Sequence, residues 1–307
     1  FKGTWITIEY GAWFAQSMQM KFTLLGVTEK LSPAAIDDHH PLEDIFASAV
    51  ELFQKKGVEY SLVVLRGDAE HVIAEKANQG DFLTVVSPLG RSRFRHWLTG
   101  RSFRALMEEI KGPILYVPEI RLPLKNLLIS AGGLGYEVAA ESLALQVATV
   151  NRADVTILHV IPPTDLDYPT TRDVREHVKD LQDTDTVLGR SLRKGLEIAK
   201  DAGLNAKLIT RQGHVVEEIL AEVQGGNYDM VCMGSRYSGH TLRQLYTPNV
   251  TAEVAEAANC PVLTVRHMHK EDRKPFYKPG VYLFSHSAVA ARIAAFISAS
   301  GTSSIPL

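Results

Sequence analysis

The sequence is short of the features that would give a simple answer. Its 307 residues include two cysteines, Cys232 and Cys260. Both sit in apolar runs, DMVCMG and CPVLTV, where a free thiol behaves as a small buried hydrophobe. No second pair stands at ligand spacing, so neither a disulfide framework nor a zinc site is supported. The formal net charge is −2, which argues against a general nucleic-acid or anionic-membrane surface and leaves only a local basic patch open. No stretch makes a good membrane span. The only candidate, Val281–Ala299, contains Ser285, His286, Ser287 and Arg292. No export signal is visible. Together with the cysteine use, this leads to an expected cytoplasmic, reducing setting.

What the chain does contain is internal similarity. Met20–Val27 (MKFTLLGV) matches Ala153–Val160 (ADVTILHV). Gly67–Gly80 (GDAEHVIAEKANQG) matches Gly213–Gly226 (GHVVEEILAEVQGG), and Gly112–Val117 (GPILYV) matches Cys260–Val265 (CPVLTV). The offsets are 133, 146 and 148 residues, in the same order. A period of that size is too long for a solenoid unit, so each copy is expected to be a whole domain. The expected limits are residues 1–118 and 124–268, joined by Pro118–Pro123 (PEIRLP), with 269–307 as a tail.

The second copy alternates two periodicities. Lys125–Ser130, Val155–Ile161, Ala206–Thr210, Tyr228–Met233 and Pro261–Val265 are short apolar runs, expected as buried strands. Tyr136–Val150, Asp173–Ala202, Val215–Val223 and Thr251–Ala258 have helical spacing, and Glu217 and Glu218 suit a first helical turn. Strands alternating with helices predict an α/β fold with a doubly wound parallel sheet, and ligands beyond the carboxyl ends of its strands. The first copy follows the same plan from a helix at Thr4–Gln19. No strand equivalent to Lys125–Ser130 comes before that helix. Either the sequence is a fragment, or another segment fills the slot. Gly280–Ser285 (GVYLFS) is strand-like and Ala288–Ala299 could follow as a helix; the alternative is an irregular extension.

Candidate chemistry lies in the loop after the first copy's fourth strand position, SPLGRSRFRHWLTGRSF. Gly90 is followed by nine residues and then by Gly100-Arg101-Ser102, which opens a helix over Phe103–Lys111. Glycine lets backbone approach a ligand, a helix N-terminus offers N–H groups to phosphate, and Ser102 adds a hydroxyl. Arg91, Arg93, Arg95, His96 and Arg101 make the segment basic. A solvated turn with Ser102 as helix cap explains the same spacing equally well.

On the strand–helix order, the GDAEHVIAE and GHVVEEILAE segments, the CPVLTV ending and this loop, residues 1–268 resemble the universal stress protein family in tandem. The resemblance implies two tandem doubly wound, Rossmann-like domains of the adenine-nucleotide alpha-hydrolase-like type. Nucleotide-binding members carry G-x2-G-x9-G-[ST] around the phosphates of ATP. The first copy has Ser87-x2-Gly90-x9-Gly100-Arg101-Ser102, so Ser87 replaces the first glycine and the hydroxyl is displaced by one residue. The second has Gly234 and Gly239, then Asn249-Val250 in place of the last Gly-Ser/Thr, with Pro248 removing a donor. The family Asp that holds the nucleoside falls on Gly132, beside Gly133. The resemblance thus implies ATP or a related nucleotide at the first loop, with Mg only as the nucleotide's companion. It also implies pairing through the last strands, Ile114–Val117 and Val262–Val265, as an intramolecular pseudo-dimer or a homodimer.

Other readings have less behind them. Gly133-Leu134-Gly135 resembles the opening of a dinucleotide fingerprint, but Val138 stands where a small residue belongs and no acid follows the next strand until Asp165. Ser130-Ala131-Gly132-Gly133 resembles the phosphate loop of ATP pyrophosphatases but lacks its Asp-Ser. His159 inside a strand reads as a satisfied core residue. His39-His40 reads as a loop pair, and His267 and His269 lack a third metal ligand. Trp97 alone makes no nucleic-acid platform. No catalytic constellation can be assembled, so the sequence favours a regulatory module over an enzyme with turnover. A nucleotide sensor, a nucleotide-free scaffold and a slow nucleotide hydrolase stay open.

Overall fold

Apolar runs become buried strands, and the polar-flanked segments between them become helices. The computed structural model describes residues 2–28, 41–88, 102–132, 138–162, 183–235, 250–266, 280–286 and 291–299. The chain divides into two compact units, Phe1–Ile120 with Met268–Leu307, and Arg121–His267. Both are α/β, with a Rossmann-like core of mostly parallel strands.

The first unit runs α1 (Lys2–Ser17), β1 (Met20–Thr28), α2 (Pro41–Lys56), β2 (Tyr60–Arg66), α3 (Ala69–Ala77), β3 (Phe82–Val86), α4 (Ser102–Glu109) and β4 (Ile114–Tyr116). α1 is apolar around most of its circumference and is correspondingly buried at Ile8, Tyr10, Ala12, Phe14 and Ala15. β1 pairs in parallel with β2, and β3 with β4.

The second unit runs β5 (Asn126–Ser130), α5 (Val138–Asn151), β6 (Asp154–Ile161), α6 (Val187–Asp201), β7 (Ala206–Gln212), α7 (Val215–Gly226), β8 (Met230–Ser235), α8 (Val250–Ala257) and β9 (Val262–Arg266). Its sheet order is β9-β8-β5-β6-β7, parallel at every pairing. Leu127, Leu128 and Ile129 of the central β5 are all buried, as a strand covered on both faces requires. α6 is shorter than the Asp173–Ala202 helix expected from periodicity. Thr186 Oγ1 accepts the Gly189 N–H at 3.0 Å, and this cap starts the helix at Val187. Residues 173–182 lie outside the described residues.

The tail adds β10 (Gly280–His286) and β11 (Ala291–Ala299) to the first unit. β10 runs parallel to β1 through Phe22↔Val281 and Thr23↔Tyr282, and parallel to β3 through Gly280↔Phe82 and Val281↔Leu83. Val281 pairs with both neighbours, as Leu127 does in the second sheet with Val155 and Met230. The helix expected over Ala288–Ala299 is not formed. Ala291–Ala299 is a strand that turns back antiparallel on β10 and registers along β1 from Thr28↔Ala291 to Met20↔Ala299. Alanine favours helix, but β1 and β10 both offer it a ladder, and tertiary pairing overrides the local preference.

Matching turns lead into α3 and α7. Gly67 has φ 147° and Gly213 has φ 154°. A Cβ at Gly67 would lie 2.8 Å from Val72 Cγ2, and one at Gly213 would lie 2.6 Å from Glu218 Oε1. Gly67→Ala and Gly213→Ala should therefore each cost about 1–3 kcal/mol of stability. Urea unfolding checks this, and a change below about 0.5 kcal/mol would mean that the turns relax freely.

Candidate functional site

Beyond the carboxyl ends of a doubly wound sheet, the reversal of strand order opens a crevice. In the second unit that point lies between β5 and β8. β5 is followed by buried Ala131 and exposed Gly132. His159, near the end of β6, is 5% exposed, and its Nδ1 lies 2.7 Å from the Ala131 carbonyl oxygen. A carbonyl only accepts, so Nδ1 carries the proton in this contact. On the other side Thr251, in the first turn of α8, donates its hydroxyl to the Gly234 carbonyl at 3.2 Å. That bond ties the start of α8 to the end of β8. His159 is the satisfied core residue that its strand position suggests. Thr251 carries no signal in the sequence beyond a hydroxyl at a helix start.

The expected site residues divide accordingly. Ser87 follows β3 and is buried, and Ser102 is the first residue of α4. Phe103, next to it, packs on Tyr116 with ring centroids 4.5 Å apart, which fixes the start of α4 against β4. Gly132 stands at the end of β5 and brings no carboxylate, and Gly234 is a half-buried residue of β8. Gly90, Arg91, Gly100, Arg101, Gly133, Gly239 and Asn249 lie outside the described residues. So do Trp97, His39, His40, His267 and His269. Among the described residues no group of three or more His, Cys, Asp or Glu could hold a metal ion, and no helix is long and apolar enough to cross a membrane.

Cys232 and Cys260 are free and buried. Burial pushes the Cys232 thiol well up, with Cys260 adding to the effect, so Cys232 is not a thiolate at neutral pH.

A second polar cluster binds α7 to the sheet. Arg211 near the end of β7 reaches Glu222 Oε2 at 2.7 Å through Nη2 and Glu218 Oε2 at 3.1 Å through Nη1. Both acids raise its pKa through hydrogen bonds, so it stays charged. Tyr228 donates its hydroxyl to Glu222 Oε1 at 2.7 Å. Both carboxylates are thus engaged by Arg211, which leaves a brace and not an acid–base pair. Helical spacing reads Glu218 only as a dipole partner; the side chain turns to Arg211 instead.

The brace has a pH signature. Burial pushes the Tyr228 phenol from 10.0 up to about 12; a hydrogen bond with Thr156 works against this and Glu222 works with it. The unfolded chain releases this proton first, so the contribution is complete below about pH 10 and is lost as pH rises toward about 12. Tyr228→Phe should cost about 1 kcal/mol at pH 8 and remove up to about 2 kcal/mol of the decline between pH 10 and 12. Urea unfolding at pH 8 and 11 measures both. Equal alkaline slopes in the two proteins would contradict the assignment.

With this geometry established, the relatives can be stated. Residues 125–266 match the universal stress protein family. A universal stress protein from Archaeoglobus fulgidus is structurally similar, with a TM-score of 0.60 and 17% identity over 87% of this chain and 93% of that one. A functionally unknown protein from Pseudomonas aeruginosa has a TM-score of 0.56 and 12% identity, over 82% of this chain and 95% of that one. At these identities the likeness establishes the fold alone. No curated protein matches the chain.

Proposed function

We propose that the chain is a tandem universal stress protein, a regulatory module whose first unit takes ATP or a related nucleotide. The two units are then copies of one domain, and the pseudo-dimer through Ile114–Val117 and Val262–Val265 belongs to the same proposal. The observation that carries it is the spacing Ser87-x2-Gly90-x9-Gly100-Arg101-Ser102, which begins at the carboxyl end of β3 and ends at the first residue of α4. That is where a parallel sheet accepts a ligand and where a helix offers its unpaired N–H groups to phosphate. Further support comes from the family match over residues 125–266 and from the matching turns at Gly67 and Gly213. Titration of the full chain with ATP in a calorimeter tests the reading. Saturable binding is the expected outcome, and absence of heat at millimolar ATP, an affinity weaker than about −4 kcal/mol, would end it.

One observation favours a nucleotide-free scaffold. Gly132 leaves the end of β5 without a carboxylate, and Thr251 already engages the Gly234 carbonyl. These changes concern the second unit. The second unit is accordingly the one assigned a structural or interaction role.

A further inference from the structure

Strand β2 lies at an edge of the first sheet, and among the described residues it pairs with β1 and with no other strand. The Glu59 carbonyl accepts the Phe22 N–H at 2.8 Å, and the Gly67 N–H donates to the Thr28 carbonyl at 3.1 Å. Odd-numbered residues therefore turn their peptide groups toward β1. Tyr60, Leu62, Val64 and Arg66 turn theirs off the edge. The same strand carries the exposed large apolar side chains described in the first unit, Leu62 at 39% and Val64 at 56% exposure. Gly26, the β1 partner of Val64, lies against α2, where an added Cβ would come 3.0 Å from Phe46 and 3.2 Å from Leu42. α2 thus covers β1 and leaves Leu62 and Val64 beside it in solvent.

The equivalent strand of the second unit is built differently. β7 pairs with β6 alone among the described residues, but it carries Lys207 and Arg211 within the strand. A cation within an edge strand discourages pairing with another chain. From Ser61 to Leu65, β2 has no charge. β2 is also self-complementary. Two copies laid antiparallel about Val63 bring Leu62 opposite Val64 and Tyr60 opposite Arg66, each twice by symmetry. These are the residues whose N–H and C=O groups point off the edge, so each pair can exchange both hydrogen bonds. No like charges meet, and Arg66 comes beside an aromatic residue. The same arrangement of β7 about Ile209 would set Lys207 against Arg211, two cations face to face.

We infer that β2 is a dimerisation edge: a second copy of the chain adds its own β2 antiparallel, joins the two first-unit sheets and covers Leu62 and Val64. This edge is distinct from the last strands, Ile114–Val117 and Val262–Val265, and the inference stands apart from the nucleotide reading. A seam of seven residues is small beside a standard interface of about 800 Å² per partner, so dissociation in the micromolar range is expected.

Sedimentation of the full chain between about 1 and 500 µM should show a mass rising toward twice that of the chain. Val64→Lys, at an exposed position, should leave thermal stability unchanged and raise the dimer dissociation constant roughly tenfold or more, because two cross-strand pairs are lost and a lysine blocks the edge. Adding Leu62→Glu to Val64→Lys should bring dimerisation back, since the two new side chains oppose each other across the seam with opposite charge. Val63→Cys should form a disulfide between copies in air, because Val63 faces its own symmetry mate, whereas Cys232 and Cys260 are buried. A chain that stays monomeric across this range overturns the inference. So does a dimer that Val64→Lys leaves intact, that the double variant fails to restore, or that Val63→Cys fails to cross-link.

Discussion

Gly100→Val is expected to weaken ATP binding at least tenfold, a loss of about 1.4 kcal/mol or more. Gly100 is the last glycine of the spacing and lies two residues before the start of α4. A phosphate seated on that helix end would contact backbone there, and a branched side chain would occupy the same space. Gly239→Val places the same side chain in the second loop, where Pro248 has already removed a donor, and should leave affinity unchanged. Calorimetric titration of the three proteins separates the cases. Equal affinity in Gly100→Val and wild type would place the ligand elsewhere. A loss in Gly239→Val alone would move the site to the second unit.

Asp229→Ala should destabilise the second unit by about 2–4 kcal/mol. Asp229 Oδ2 accepts the backbone N–H groups of both Lys125 and Asn126, each at 2.8 Å. Its own N–H donates to the Asn126 carbonyl at 2.9 Å, so the residue pins the start of the central strand β5 to that of β8. Removing the carboxylate leaves two donors at the sheet's entry without this acceptor, and hydrogen bonds to a charged group are the stronger class. Asp229→Asn keeps one acceptor oxygen and should cost roughly half as much. Denaturant unfolding decides the point. A loss below about 1 kcal/mol for Asp229→Ala would show that solvent or a neighbouring group replaces the acceptor.

The regular part of the second unit is legible in its sequence because each apolar run is short and each is followed by a helical period. Val155–Ile161 is expected and Asp154–Ile161 is observed; Thr251–Ala258 is expected and Val250–Ala257 is observed. Gly280–Ser285 reads as a strand because it is apolar and aromatic, and the slot that it enters can be inferred from the place missing in the first copy. Ala291–Ala299 cannot be read this way. Its alanines favour helix, and pairing along β1 and β10 makes it a strand. The brace from Arg211 through Glu222 to Tyr228 is hidden for a related reason. Those residues are spread over a strand, a helix and the turn after it, and each alone looks like an ordinary surface or helix-face residue. Of the candidate site, the sequence gives the glycine spacing and its basic character. The pairing of Ala291–Ala299 along β1 joins the two ends of the chain, which local pattern does not encode.

Mass spectrometry of the small molecules released when the natively purified full chain is denatured tests most directly the proposal that the first unit binds nucleotide. ATP or a related nucleotide should appear, at no more than one per chain, and should be absent from Gly100→Val prepared in the same way. Two nucleotides per chain would contradict the division of roles between the units. No nucleotide, combined with no heat at millimolar ATP, would leave a scaffold in place of a sensor.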